Sequence, residues 1–210
     1  MTSTLPIIRP QFGNNRRNAE PIGQKAPLQP KEVWAIRVRL QMAQRVRDLA
    51  LFNLAIDSKL RGCDLVCLKV TDVAQMGEAR SRASVIQKKT GAPVRFEITP
   101  PARETLNAWI RNAGLSDRDW LFPSRIHACP HLTTRQYQRL VKDWVALIGL
   151  DPTRYGSHSL RRTKATQIYK RTGNLRAVQL LLGHAKIEST VRYLGVEVED
   201  ALTLSEQIEL

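Results

Sequence analysis

Residues 156–194 read GSHSLRRTKATQIYKRTGNLRAVQLLLGHAKIESTVRYL. The stretch divides into three helical runs. Residues 158–172 lead to Gly173, a residue suited to the left-handed position just past a helix end. Residues 174–182 form a short apolar run closed by Gly183, and residues 187–194 form a third. His158 and Arg161 stand three apart and share one face at a helix start. Free backbone N–H groups there favour an anion. Leu182-Gly183-His184 follows, and Tyr193 comes nine positions after His184.

Outward from this stretch the chain stays mostly helical. Residues 133–148 begin at Thr133 and Thr134, both able to cap, and stop before Gly149. Residues 102–113 form an amphipathic helix that ends at Gly114. Residues 31–58 place Trp34, Val38, Met42, Val46, Leu49, Leu51 and Leu54 near helical spacing, as one long helix or two. Arg37, Arg39, Arg45 and Arg47 lie among them and give a basic face. Residues 83–89 (ASVIQKK) and 94–100 (VRFEITP) flank Thr90-Gly91-Ala92-Pro93 and read as a hairpin. With residues 65–73 (LVCLKVTDV) they are expected to make a three-stranded antiparallel sheet. The fold class is mostly α, an α+β chain with a small sheet. Trp34, Trp109, Trp120, Trp144 and the run Leu180 to Leu182 are expected in the core.

Composition bounds the function. Across 210 residues, 33 Lys and Arg face 19 Asp and Glu, a formal charge of +14. An excess of that size on a folded chain points to a polyanionic partner, most often nucleic acid. A basic but silent surface is the alternative. The apolar share of 42% supports a real core, and the length fits one domain with an appendage. Residues 1–30, rich in Pro, Gly, Asn and Gln and carrying Arg9, Arg16, Arg17 and Lys25, read as a flexible basic arm or a plain disordered tail. Residues 31–210 form the domain proper. No apolar run reaches the length of a membrane span, and no secretory leader is expected. Three cysteines give no disulfide framework. A cytoplasmic, nucleoid-associated bacterial protein is the expectation. His127, Cys129 and His131 raise zinc, but the spacing is short and no second pair matches it, so no metal and no cofactor are expected.

The ordered set Arg61, Lys89, His158-Ser159-Leu160-Arg161, Leu182-Gly183-His184, Tyr193 resembles the tyrosine recombinases, or phage-type integrases. Each piece alone is weak, but the complete order is specific. The resemblance implies a DNA strand-exchange enzyme that needs no ATP. Tyr193 would attack a phosphodiester, leaving a 3′-phosphotyrosyl link and a free 5′-hydroxyl. Arg61 and Arg161 would neutralise the charge gathering on the phosphate. His158 would assist removal of the tyrosine proton, and His184 would donate to a non-bridging oxygen. Lys89 would protonate the leaving 5′-oxygen; the adjacent Lys88 stays an alternative, although Lys89 fits the Lys-Thr-Gly pattern better. Asp64 would orient Arg61 or His158. Arg37, Arg45, Arg162 and Lys164 would contact the DNA backbone.

The resemblance further implies a homo-tetramer on two synapsed duplexes. In it the acidic, amphipathic helix at residues 197–208 docks on a neighbour, with room for a DNA-bending accessory protein. The family's separate core-binding domain has no counterpart in the roughly 30 residues before the domain, as in short members such as the fimbrial switch invertases. Two other readings stand beside this one. Residues 174–194 could be the helix-turn-helix of a non-cleaving DNA-binding regulator or accessory protein. The same chemistry without synapsis would be a type IB topoisomerase-like nicking and closing enzyme. A regulator has no use for a tyrosine nucleophile between two arginines.

Overall fold

The structure, a computed structural model, describes residues 25–125 and 129–195. The central element is α2 (Val46–Ser58), in which every residue from Ala50 to Ser58 is buried. Helices α1 (Pro30–Met42), α5 (Pro100–Asn112) and α7 (Ser157–Thr172) pack against it. α6 (Thr134–Ala146) closes the far side with Trp144 at 0% exposure, edge-on to Phe52 at 5.6 Å. α6 starts with a reciprocal cap: Gln136 N–H donates to Thr133 Oγ1 (3.1 Å), and Thr133 N–H donates to Gln136 Oε1 (2.9 Å).

A second, smaller core joins α7 to α8 (Leu175–Leu182) and α9 (Ile187–Leu194). It consists of Ala165, Val178, Leu182 and Leu194, with the Tyr193 ring packed against it. Asn174 starts α8 by accepting from Ala177 N–H at 2.9 Å. Gly173, Gly183 and Gly195 end α7, α8 and α9 in left-handed conformation.

The mostly helical α+β class holds, but the expected third strand does not form. Residues 65–73 instead straddle two one-turn helices, α3 (Gly62–Leu65) and α4 (Val70–Val73). Leu65, Leu68, Val70 and Val73 all face inward, a spacing that fits helical turns rather than strict alternation. Asp72 also accepts from Lys69 N–H at 2.7 Å and starts a helix there. Among the described residues the sheet content is two separate antiparallel pairs. One is β1 (Ala74–Gln75) with β2 (Glu78–Ala79); the other is β3 (Arg82–Ile86) with β4 (Pro93–Glu97), in the register Val85 opposite Val94.

Other expectations are adjusted by packing. Residues 31–58 make two helices, separated at Ala43–Arg45, where Gln44 takes a left-handed φ of 52°. Residues 25–29, grouped with the arm by composition, are tied to the domain. Leu28 is 1% exposed, its N–H donates to Thr163 Oγ1 (3.0 Å), and Ala26 N–H donates to the Arg154 carbonyl (3.2 Å). Residues 1–24 lie outside the described residues. Trp144 is core, whereas Trp34 is 67% exposed and Leu180 63%. Both side chains stand on the solvent side of their helices, and scattered apolar surface of this kind is ordinary.

Candidate active site

Four elements converge on one face. Arg61 precedes α3. Lys89 lies in the β3–β4 turn. α7 brings His158 and Arg161, and the α8–α9 corner brings His184 and Tyr193. Arg161 is held hardest. It is 2% exposed; Nη1 donates to the Lys59 carbonyl (2.6 Å) and Nη2 to the Leu182 carbonyl (2.8 Å). Two of its five N–H groups are engaged this way, which fixes the plane of the guanidinium and leaves further donors. Its carbon lies 5.8 Å from the centre of the Tyr193 ring, and that of Arg162 lies 5.5 Å away.

The Tyr193 hydroxyl is buried and has no partner at hydrogen-bonding geometry among the described residues. Burial pushes its pKa up to about 12, against the opposing pull of Arg161, Arg162 and Arg61. His184 stands edge-on to the Tyr193 ring at 5.4 Å, and its Nδ1 lies 3.0 Å from Thr190 Oγ1. Burial, then Arg161 and Arg61, bring its pKa down to about 4. The imidazole is therefore neutral at physiological pH. A Thr190 hydroxyl that donates to Nδ1 would leave the proton on Nε2 and make it the donor.

His158, at the exposed edge of the site, also has a lowered pKa. Desolvation comes first, followed by Arg161, Arg61, Arg162 and Lys89. Two histidines made less basic by the same cations mark a strongly positive field, which an incoming phosphate would relieve.

Arg61 donates from Nη1 to Gln87 Oε1 at 2.5 Å. Gln87, at 0% exposure, also donates from Nε2 to the Leu182 carbonyl (3.3 Å) and accepts from the Thr90 hydroxyl (2.9 Å). It ties Arg61, the α8 terminus and the hairpin turn together, and nothing in its sequence context marks it. Asp64 differs from expectation: its Oδ1 accepts from the backbone N–H of Lys88 (2.9 Å) rather than from Arg61 or His158. It anchors the turn that carries Lys89. The Lys88 ammonium points to Cys67 Sγ at 2.8 Å, whereas Lys89 is exposed on the site side.

Each of the four residues expected to contact the DNA backbone has a partner within the chain. Lys164 pairs with Asp57 (2.7 Å) and Glu97 (2.6 Å). Arg37 donates to Asn53 Oδ1 (2.7 Å), Arg45 pairs with Asp48 (2.5 Å), and Arg162 donates to the Lys25 carbonyl (2.8 Å). Periodicity cannot tell a basic helix face that meets DNA from one that meets the protein's own acceptors. Among the described residues no group of His, Cys, Asp and Glu could hold a metal ion. Of the His-x-Cys-x-His run, His127 lies outside them, whereas Cys129 and His131 are described. No described helix is long and apolar enough to cross a membrane.

The Leu182-Gly183-His184 corner is tight. Gly183 takes φ 63°, and a Cβ there would lie 2.4 Å from Val94 Cγ2 on β4. Gly183→Ala is expected to cost about 2–4 kcal/mol, combining left-handed strain with overpacking. It should also move His184 off its position. Urea unfolding checks the first effect. Adding Val94→Ala should recover the steric part, and the strain part should persist.

Known proteins share both sequence and fold with this chain. Residues 28–199 match the Phage integrase family. A "Tyrosine recombinase XerC" of Erythrobacter litoralis is 33% identical over 159 residues, covering 76% of this chain and 49% of the relative. A "Probable integrase/recombinase YoeC" of Bacillus subtilis is 26% identical over 151 residues, covering 72% and 78%. The chain thus spans about half the length of the first of these and most of the second. Among solved structures, XerA recombinase superposes with a TM-score of 0.71 at 21% identity, over 89% of this chain and 66% of that one. The Tn1549 transposon integrase in complex with transposon right end DNA superposes at 0.66 and 16% identity, over 90% and 67%. With the match running from Leu28 through every residue of the site just described, the chain belongs to the phage integrase family of tyrosine recombinases.

Proposed function

We propose that this chain cleaves and rejoins double-stranded DNA through a 3′-phosphotyrosyl intermediate. The observation that carries this reading is the buried Tyr193 hydroxyl set against Arg161, with Arg61, His158, His184 and Lys89 converging on the same face. The Tyr193 oxygen attacks phosphorus, and its proton passes to His158. Arg61 and Arg161 meet the charge on the non-bridging oxygens, and His184 donates to one of them. The bond to the 5′-oxygen breaks, and Lys89 supplies the proton to that oxygen. A 5′-hydroxyl from a partner strand reverses the step, so the phosphodiester bond is re-formed without an external energy source.

The DNA complex of the Tn1549 relative supports DNA as the partner. A homo-tetramer on two synapsed duplexes, with residues 197–208 docking in trans, extends the family reading; that segment lies outside the described residues. The helix-turn-helix alternative is disfavoured because α9 turns Tyr193 inward against α7 rather than presenting it on an open recognition face.

A duplex nicked just 3′ of the scissile phosphate, which loses its short 5′-hydroxyl fragment on cleavage, tests the reading. Wild-type protein should accumulate as a covalent protein–DNA adduct that survives detergent. DNA binding with no adduct at any site tried would favour the regulator instead.

A further inference from the structure

Lys59 stands where α2 ends, two residues before Arg61. Its φ of 55° is left-handed, a conformation glycine adopts without strain and lysine does not. The residue is 1% exposed. Its ammonium donates to the Asp57 carbonyl (2.5 Å) and to both carboxylate oxygens of Glu97 (2.9 and 3.1 Å). Lys164 reaches the same two acids, Asp57 Oδ1 at 2.7 Å and Glu97 Oε1 at 2.6 Å. The remaining Asp57 oxygen accepts from the Thr99 N–H (2.8 Å) and hydroxyl (2.6 Å).

Two ammonium groups and two carboxylates thus form a closed cluster whose formal charges cancel. It joins three elements, and each leads to the active site. α2 runs on to Arg61. β4 is the return strand of the hairpin that carries Lys89. α7 carries Arg161 one turn before Lys164. The Lys59 carbonyl itself accepts Arg161 Nη1 at 2.6 Å.

Resting on the strand-cleavage reading, we propose that Lys59 is a positioning residue for Arg161. The charge cluster locks the left-handed turn, and the turn aims the carbonyl that fixes the guanidinium. A buried ion cluster is weak evidence for stability, since apolar groups often replace one without loss. What it supplies is direction: one ammonium held by three oxygens cannot slide. A glycine would satisfy the backbone but leave the turn unconnected to β4 and α7.

The test compares wild type with Lys59→Gly, which keeps the backbone conformation and removes the ammonium. Lys59→Gly/Glu97→Gln also removes the carboxylate that has lost one of its two ammonium partners and keeps only Lys164, and serves if the single variant folds poorly. Single-turnover adduct formation is followed at saturating DNA, beside DNA affinity. Both variants should reach full adduct amplitude at a rate about 10–100-fold lower, as expected when a reacting group is slightly misplaced. DNA affinity should stay within about threefold, since the cluster contacts no DNA group in this reading.

A duplex with a neutral methylphosphonate at the scissile position develops less charge for Arg161 to meet. On it the deficit should shrink several-fold. A wild-type rate, an equal deficit on both substrates, or reduced amplitude at a normal rate would each overturn the proposal.

Nitrogen-15 NMR of the Arg161 side chain decides the matter without catalysis. Its Nη–H exchange should be slow in wild type and at least about tenfold faster in both variants, because loss of the fixed acceptor exposes the donor to water. Unchanged exchange overturns the proposal. A wild-type protein that shows slow exchange but forms no adduct would instead sink the strand-cleavage reading and leave the Lys59–Arg161 coupling standing.

Discussion

Tyr193→Phe is expected to abolish the covalent adduct on nicked DNA while leaving the protein as stable as wild type, or slightly more so. The ring is what the fold uses. It packs on the small core of α7, α8 and α9, stands 5.4 Å from His184, and lies beneath the guanidinium carbons of Arg161 and Arg162. Phenylalanine keeps all of that. The buried hydroxyl makes no hydrogen bond of good geometry and has only a looser interaction with Arg161, so the fold gains little from it. Its removal should therefore leave the urea midpoint unchanged or raise it slightly.

The chemistry has no replacement for it. Tyr137 is buried in the main core with its pKa raised by burial, and the charges that act on Tyr155 are Glu32 and Arg154 rather than the site cations. A phenol held near pKa 12 is ionised only to about one part in 10⁴ at pH 8, which favours assisted removal of its proton. An adduct from the phenylalanine variant, mapped to another tyrosine, would assign the nucleophile elsewhere. A variant that loses the adduct together with several kcal/mol of stability would show that the hydroxyl serves the fold.

The chemical residues were legible in the sequence because they come as short local patterns. His158 and Arg161 lie one helical turn apart, and His184 lies in the corner between two consecutive short helices with Tyr193 on the second, so spacing along the chain nearly determines spacing in space. Their supports were not. Gln87 reaches Arg61 across 26 positions and the Leu182 carbonyl across 95, and Lys59 meets Arg161 across 102. Such pairs depend on how helices and hairpin dock, and neither periodicity nor residue type records that. The sheet failed for a related reason. Residues 65–73 are rich in β-branched side chains, but Asp72 capping and inward spacing of three favoured helical turns. In residues 31–58 the basic periodicity likewise does not show that Arg37 and Arg45 meet acceptors on α2.

Arg161→Ala is expected to slow adduct formation by about 10³-fold or more at saturating DNA. Loss of one preorganised donor to a developing oxyanion typically costs roughly 10²–10³. Here the donor is charged, planar and aimed by two carbonyls, and it is 98% buried, where charge is poorly screened. The alanine variant also removes the arginine donor from the Lys59 carbonyl and leaves the Leu182 carbonyl only the longer bond from Gln87, so about 1–3 kcal/mol of stability should go with it. Arg161→Lys separates the two effects. It keeps the charge but cannot reach both carbonyls with a rigid fork. It should recover part of the electrostatic contribution, perform better than alanine by about tenfold, and remain well below wild type. DNA affinity should change little in either variant, because one buried arginine is a minor share of the cations available for backbone contact. On a methylphosphonate substrate the alanine deficit should contract, since less negative charge then develops opposite Arg161. An equal deficit on charged and neutral phosphates, or a fall in affinity that matches the fall in rate, would make Arg161 a binding or folding residue instead.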